Sequence, residues 1–185
     1  MVTVGNNLSL YTVKAVVVLD NEGKRLLAKY YRPSKGEFGT VKEQRTFEKA
    51  LFDKTRRSTG EIILMQGQVV CYRNLADVVV YVIGAVEENE LILASALSAF
   101  VEAISSLVRH QVDKRAIQES YDMIILALDE TVDDGIILEV DSAQIVSRVS
   151  KRGQDSATIE SALSEQSLSQ AWGMAKERFA QSILQ

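Results

Sequence analysis

The residues that carry most enzyme chemistry are scarce in this 185-residue sequence, which has one histidine, one cysteine, one proline and one tryptophan. One histidine and one cysteine cannot build a tetrahedral His/Cys zinc site, and a lone cysteine cannot close an internal disulfide. The signatures of phosphate-binding loops, dinucleotide-binding turns, serine-hydrolase elbows and zinc-protease helices are also missing. These absences leave only carboxylate metal sites open and give catalysis no support. We expect a protein that is not an enzyme and uses no cofactor, and an enzyme of unrecognised type is the competing hypothesis.

An excess of positive charge is lacking as well. The 21 Lys and Arg residues face 25 Asp and Glu residues, for a net charge of -4, so no overall field attracts nucleic acid. The N-terminus has no basic start and apolar middle of the secretory type. With 46% hydrophobic and 25% charged residues, the composition predicts one folded, soluble, intracellular domain in a reducing compartment. We expect no nucleic acid partner, although a local basic face would still allow one.

Apolar periodicity and turn residues define the expected elements. We expect a hairpin with strands at 10–20 and 24–32, followed by a helix at 41–57 that begins with a capping box at Thr40 to Glu43. A three-stranded meander at 61–66, 68–74 and 77–86 comes next, and then two helices at 89–108 and 115–131. The helix at 89–108 is apolar almost all round, which predicts burial on more than one side, and its serines argue against a membrane span.

The order β-β-α-β-β-β-α-α plus a C-terminal helix predicts an α/β (α+β) fold. In it, a five-stranded mixed sheet carries helices on both faces, and its last strand lies parallel to the first. The expected organisation is an N-terminal tail (1–9), the folded domain (10–153), and a polar linker with a C-terminal helix (154–185). That last segment either docks on this chain or a partner, or is partly disordered.

Several candidate functional residues leave alternatives open. Lys42, Arg45 and Lys49 give the helix at 41–57 a basic excess, which suits either a membrane-facing patch or a solvated helix face. Cys71 fits a small buried hydrophobe better than a reactive thiol, because no second cysteine or nearby histidine activates it. His110 fits a surface or capping role at a helix end better than a catalytic one.

Four aromatic residues lie away from the predicted core stripes and are our candidates for partner contact: Tyr30, Tyr31, Phe38 and Phe52. The selection rests on exposure, because large apolar side chains left at the surface often mark interfaces.

Four segments resemble one known family. They read LYTVKAVVVLDNEGKRLLAKYY, VKEQRTFEKALFDKT, VIGAVEENELIL, and DDGIILEVD followed by IVSRVSKRG. These segments are similar to the coatomer zeta (zeta-COP) family, a branch of the adaptor small chains with a longin-like fold, and the likeness extends over about residues 8–184.

The resemblance implies a non-catalytic small subunit of the COPI vesicle coat. Such a chain pairs with gamma-COP, joins the beta and delta chains, and is recruited to Golgi membranes by an ARF-class GTPase. It is cytoplasmic, peripheral on Golgi membrane and COPI-coated vesicles, and acts in Golgi-to-ER and intra-Golgi transport. The alternative is a sigma-type chain of a clathrin adaptor that binds dileucine cargo signals.

In sigma chains the Asn-Glu-Leu segment borders the cargo pocket. The matching positions here are Asn89, Glu90 and Leu91, which the resemblance marks as a cargo-pocket remnant. A helix cap followed by core residues explains the same segment.

Overall fold

The computed structural model describes residues 12–32, 37–58, 60–109 and 111–151. Its strands are β1 (Val13–Asp20), β2 (Arg25–Tyr30), β3 (Ile62–Met65), β4 (Gln68–Asn74), β5 (Val78–Ala85), β6 (Val132–Asp133) and β7 (Ile136–Ile137). Its helices are α1 (Val41–Thr55), α2 (Glu90–Val108), α3 (Lys114–Glu119) and α4 (Tyr121–Thr131), and residues 142–151 are also helical. The chain divides after Ser147 into two units, and residues 148–151 are the described part of the second.

Five strands form one sheet in the order β2-β1-β5-β4-β3, and every neighbouring pair is antiparallel. The predicted α+β class and the five strands are confirmed, but the expectation of a mixed sheet is wrong. The direction of β5 relative to β1 depends on whether the number of connections that reverse the chain between them is odd or even. Helix α1 carries the chain back across the sheet, so β3 runs parallel to β2; two further hairpins then make β5 parallel to β2 and antiparallel to β1.

Local sequence signals set the ends of the first elements. The β1–β2 hairpin turns through Asn21, Glu22 and Gly23, and Gly23 has the positive φ of +78° expected there. At the start of α1 the Thr40 hydroxyl accepts from the Glu43 N–H (3.2 Å), and the Glu43 carboxylate accepts from the Thr40 N–H (3.1 Å). Both predicted features, the hairpin and the capping box, are confirmed.

Helices cover both faces of the sheet, as predicted. On one face Phe47 and Leu51 of α1 pack in a core with side chains of β1, β4 and β5. On the other face α2 lies against β4 and β5 and also against α4. By length and hydropathy alone α2 could cross a membrane, yet eight of its residues are buried in this position. Its burial on two sides confirms the prediction from its composition.

The stretch predicted as one helix at 115–131 is two helices. The chain breaks at Ser120 (φ -113°, ψ 24°), which separates α3 from α4. Asp134 and Gly135 then form the turn of the small β6–β7 hairpin, in which Asp133 pairs with Ile136. Gly135 is required there, because it has a φ of +81° and a Cβ would lie 2.6 Å from the Val13 carbonyl oxygen. The predicted C-terminal helix and the domain boundaries at 9/10 and 153/154 lie outside the described residues.

Candidate interaction surface

Reactive and metal-binding groups are not assembled in the part of the chain that the structure describes. Its residues contain no group of three or more His, Cys, Asp and Glu side chains that could hold a metal ion. Cys71 is 1% exposed, and burial, followed by the charge of Glu90, raises the pKa of its thiol to about 11. The thiol is therefore protonated at neutral pH, which fits the buried hydrophobe of the prediction. His110 lies outside the described residues.

The four aromatic residues selected for partner contact are buried or half-buried. Tyr31 and Phe38 are each 8% exposed, while Tyr30 and Phe52 are half-buried against the core. The Phe38 ring lies edge-on to Phe47 at a centroid distance of 4.8 Å and 5.0 Å from the Tyr30 ring. The expectation that these side chains are exposed is wrong. Phe38 packs under α1, the Tyr31 hydroxyl donates to the Val132 carbonyl at 3.1 Å, and Tyr30 and Phe52 pack against the core. Their selection as partner-binding residues loses its basis.

Sequence analysis missed a buried carboxylate that ties the first hairpin to α3. Asp20 has no exposed surface and its Oδ1 accepts from the Lys24 N–H (2.8 Å) and the Glu22 N–H (2.9 Å). Its Oδ2 accepts from Lys114 Nζ at 2.8 Å. Burial alone raises the pKa of Asp20, but the hydrogen bonds from Lys114, Lys24 and Glu22 outweigh burial and lower it below 3.8. This network is structural, since all its acceptors are used inside the chain.

A second buried carboxylate joins α1 to β2. Glu48 is 1% exposed. Its Oε2 accepts a hydrogen bond from Arg25 Nε at 3.1 Å, and its Oε1 forms an ion pair with Arg25 Nη2 at 2.5 Å. The Tyr30 hydroxyl donates to the same carboxylate at 2.9 Å. Burial and the Glu48 charge raise the pKa of Tyr30, so the phenol stays a donor. The sequence shows Glu48 only as an ordinary helix charge, because nothing local marks its long-range partner.

The predicted basic patch is present on the outer side of α1. Lys42, Arg45 and Lys49 are exposed, and their spacing of three and four residues places them on one helix face. Phe47 and Leu51 project from the opposite face into the core. Arg45 Nη1 lies 3.8 Å from Glu48 Oε2, a weak ion pair that leaves the patch basic.

The segment Asn89, Glu90 and Leu91 begins α2. The Asn89 side chain caps the helix by accepting from the Leu91 N–H at 2.9 Å, which is the capping role that sequence analysis offered as one explanation. Leu91 lies outside the core, as its exposed fraction of 70% shows. Glu90 lines a groove of about 440 Å³ with Ile62, Ile63, Leu64, Val69 and Val86.

Large apolar side chains are exposed in the groove and in the first turn of α2, and sequence analysis missed four of them. We define the edge patch as Ile62, Leu64, Val86, Leu91 and Ile92, which are 44%, 62%, 49%, 70% and 46% exposed. The first two lie on β3, which is an edge strand of the sheet, and the others lie at and before the start of α2. No local signal marks them, because Ile62 and Leu64 are exposed only by the position of β3 at the edge of the sheet. Contiguous apolar surface of this kind marks interaction sites.

Comparisons with known proteins agree with this arrangement of elements. The family model described as "Clathrin adaptor complex small chain" matches residues 12–156. Coatomer subunit zeta of Saccharomyces cerevisiae is 41% identical over 187 residues, with 97% of this chain and 98% of the relative covered. Coatomer subunit zeta-1 of Homo sapiens is 46% identical over 176 residues, with 95% of each chain covered.

A chain in a homology model of the full-length AP-3 complex in a stretched open conformation has the same fold. The TM-score is 0.62 at 16% sequence identity, over 80% of this chain and 98% of that one. At this identity the likeness concerns the fold alone. The family model and the full-length relatives together show that this chain belongs to the adaptor small-chain family, alongside the zeta subunits of coatomer.

Proposed function

We propose that this chain is a non-catalytic small subunit of the COPI coat that pairs with gamma-COP and joins the beta and delta chains. In this role it is recruited with the complex by an ARF-class GTPase, peripherally, to Golgi membranes. It then acts in Golgi-to-ER and intra-Golgi transport. The proposal is supported by the similarity to coatomer zeta subunits along nearly the whole chain.

The observation that carries the proposal is the edge patch. Three of its five exposed aliphatic side chains (Ile62, Leu64 and Val86) line one groove, while the titratable groups Asp20, Glu48 and Cys71 are used inside the fold. A surface of this kind supports protein contact and offers no converging acid, base or nucleophile for catalysis.

The experiment that tests the proposal is a pull-down of the tagged full-length chain from cytosol. Recovery of gamma-COP together with the other coatomer chains is the expected result. Recovery of clathrin adaptor chains in place of coatomer chains contradicts it, and favours the alternative of a sigma-type subunit. That alternative has one observation in its favour, the match to the model of the clathrin adaptor small chains.

The basic patch of α1 supports a further part of the proposal, that this face lies towards the membrane in the assembled coat. Lys42, Arg45 and Lys49 are exposed on one side of the helix, where each suits an anionic lipid headgroup. Reversal of all three charges should weaken binding of the assembled complex to anionic liposomes. Unchanged binding would reduce the patch to a solvated helix face.

A further inference from the structure

A cavity of about 360 Å³ lies between the first turns of α1 and the β3–β4 turn, and it opens to solvent. Phe38 and Phe47, which are 8% and 3% exposed, form its apolar wall. Lys42 of α1 and Gln68, the first residue of β4, contribute polar groups to the lining. The cavity shares no lining residue with the groove of the edge patch, so the two are separate features of the surface.

The side chain of Gln68 leaves one buried polar atom without a partner. Gln68 is 6% exposed, and no group in the described part of the chain donates to its Oε1. Its Nε2 donates to Glu37 Oε1 at 2.8 Å, and Lys14 Nζ pairs with the same oxygen. The hydrogen bonds from Lys14 and then Gln68 outweigh burial and lower the pKa of Glu37, so its charged carboxylate only accepts and fixes the orientation of the amide. A buried acceptor without a partner is unfavourable, so this oxygen marks a place for a ligand that donates.

Charges around the cavity balance each other. Its lining contains the carboxylates of Glu37 and Glu43 and the ammonium group of Lys42, and Lys14 adds a second positive charge beside Glu37. Both carboxylates already accept hydrogen bonds within the chain, that of Glu43 from the backbone at the start of α1. The other two residues of the basic patch are not part of the lining. A ligand of either sign therefore meets like charge, and the balance favours a neutral ligand that both donates and accepts.

We propose that this cavity, which we name the amide pocket, binds the primary carboxamide of an Asn or Gln side chain on an uncharged segment of a partner protein. The carboxamide NH2 donates to Gln68 Oε1, and its oxygen accepts from Lys42 Nζ. The aliphatic part of the side chain packs against Phe38 and Phe47, as in other sites that combine an apolar wall with a few polar groups. The proposal does not depend on which coat complex the chain joins, since it rests on the lining of the pocket alone.

The test titrates the full-length chain with N-acetylglutamine methylamide, a probe whose only primary carboxamide is its side chain. NMR follows the side-chain NH2 of Gln68 and the backbone amide of Thr46, which also lines the pocket. The glutamate and methionine analogues of the probe are matched controls, because one replaces the NH2 donor with a charged oxygen and the other removes both polar groups at similar length. The variants are Gln68→Met and Lys42→Met, and the control variant is Gln111→Met, an exposed glutamine outside the pocket. Thermal melting verifies that each variant is folded.

We expect saturable shifts with a Kd of ~1 mM for the glutamine probe, the strength typical of so small a ligand. Its two analogues should bind about tenfold more weakly, because each leaves the buried oxygen unpaired. Gln68→Met should abolish the preference for the glutamine probe, Lys42→Met should weaken binding about threefold because that lysine is exposed, and Gln111→Met should bind like the wild type.

Equal binding of the glutamine probe and either analogue to the wild type overturns the proposal, and this comparison holds even if Gln68→Met fails to fold. The absence of a saturable shift with every probe also overturns it, since water alone then satisfies the buried oxygen. Binding that appears only in the double variant Asn6→Ala and Asn7→Ala would assign the pocket to this chain's own asparagines, and would overturn the assignment to a partner.

Discussion

Replacing Asp20 with asparagine should destabilise the fold by removing one charge from a buried network. The amide oxygen of Asn can still accept from the backbone of the β1–β2 turn, so the main loss is the charge-assisted bond from Lys114 Nζ at 2.8 Å. Hydrogen bonds to charged groups contribute about 1.5–3 kcal/mol. Because the Lys114 side chain is 39% exposed, water recovers part of that energy, and we expect a loss of about 1–2 kcal/mol.

The Asp20→Ala variant should lose more, because it also leaves the Lys24 and Glu22 N–H groups without an acceptor. Each such loss costs about 1 kcal/mol, so the total should be about 3–4 kcal/mol. Urea unfolding of the purified chain, followed by circular dichroism, measures both values. The matched control is Glu22→Gln, which removes an exposed ion pair with Lys24 and should leave the free energy of unfolding unchanged.

The pH dependence gives this prediction a second, independent check. The pKa of Asp20 is lowered below its ordinary value of 3.8 in the folded chain, so the folded state favours the charged carboxylate. The stabilisation is therefore complete above about pH 4 and is lost as the pH falls through the folded pKa. The difference between wild type and Asp20→Asn should shrink in acid. A difference that stays constant from pH 7 to pH 3, or no difference at pH 7, would refute the reasoning.

Three further predictions concern other parts of the core. Gly84→Ala should lower the free energy of unfolding by about 1–3 kcal/mol, because the new Cβ would lie 2.6 Å from a side-chain carbon of α2. In the control Gly60→Ala the new Cβ meets nothing closer than 3.6 Å, so equal melting temperatures of the two variants would contradict the prediction. Glu48→Gln should cost about 2–4 kcal/mol in urea unfolding by breaking the buried pair with Arg25, and a loss below experimental error would show that the pair is dispensable. Cys71, with its pKa of about 11, should resist iodoacetamide at pH 8 until the chain unfolds, and rapid labelling of the folded chain would show that its burial is wrong.

Features encoded by neighbouring residues were predictable from the sequence. The hairpin at Gly23 and the capping box at Thr40 depend on turn and cap chemistry within a few positions, and both form as expected. The strands β3, β4 and β5 lie within one residue of their predicted bounds at each end, because short links and apolar runs define a meander locally.

Features that depend on distant partners were not predictable in the same way. The burial of Phe38 requires α1 to pack over it, and the role of Glu48 requires Arg25 from another element. The break at Ser120 interrupts a stretch with good helical periodicity, so tertiary packing overrides the local pattern. The direction of β5 follows from counting the connections, and a prediction that included this count would have been correct.

The exposed side of the molecule was the hardest part to predict. An apolar residue on a strand is usually buried, and only the position of β3 at the sheet edge exposes Ile62 and Leu64. Leu91 reads as the first core residue of α2, yet α2 starts beside the groove and leaves that residue in solvent. The surface that we assign to partner contact therefore emerges from the fold and not from a motif.

Side-by-side binding to the purified trunks of gamma-COP and of a clathrin adaptor large chain tests the central claim most directly. The full-length chain is titrated against each trunk under the same conditions, and the stoichiometry is read from the molar mass of the complex in solution. The account predicts a one-to-one complex with gamma-COP and none with the adaptor chain. A complex with the adaptor chain alone, or with neither trunk, would contradict it.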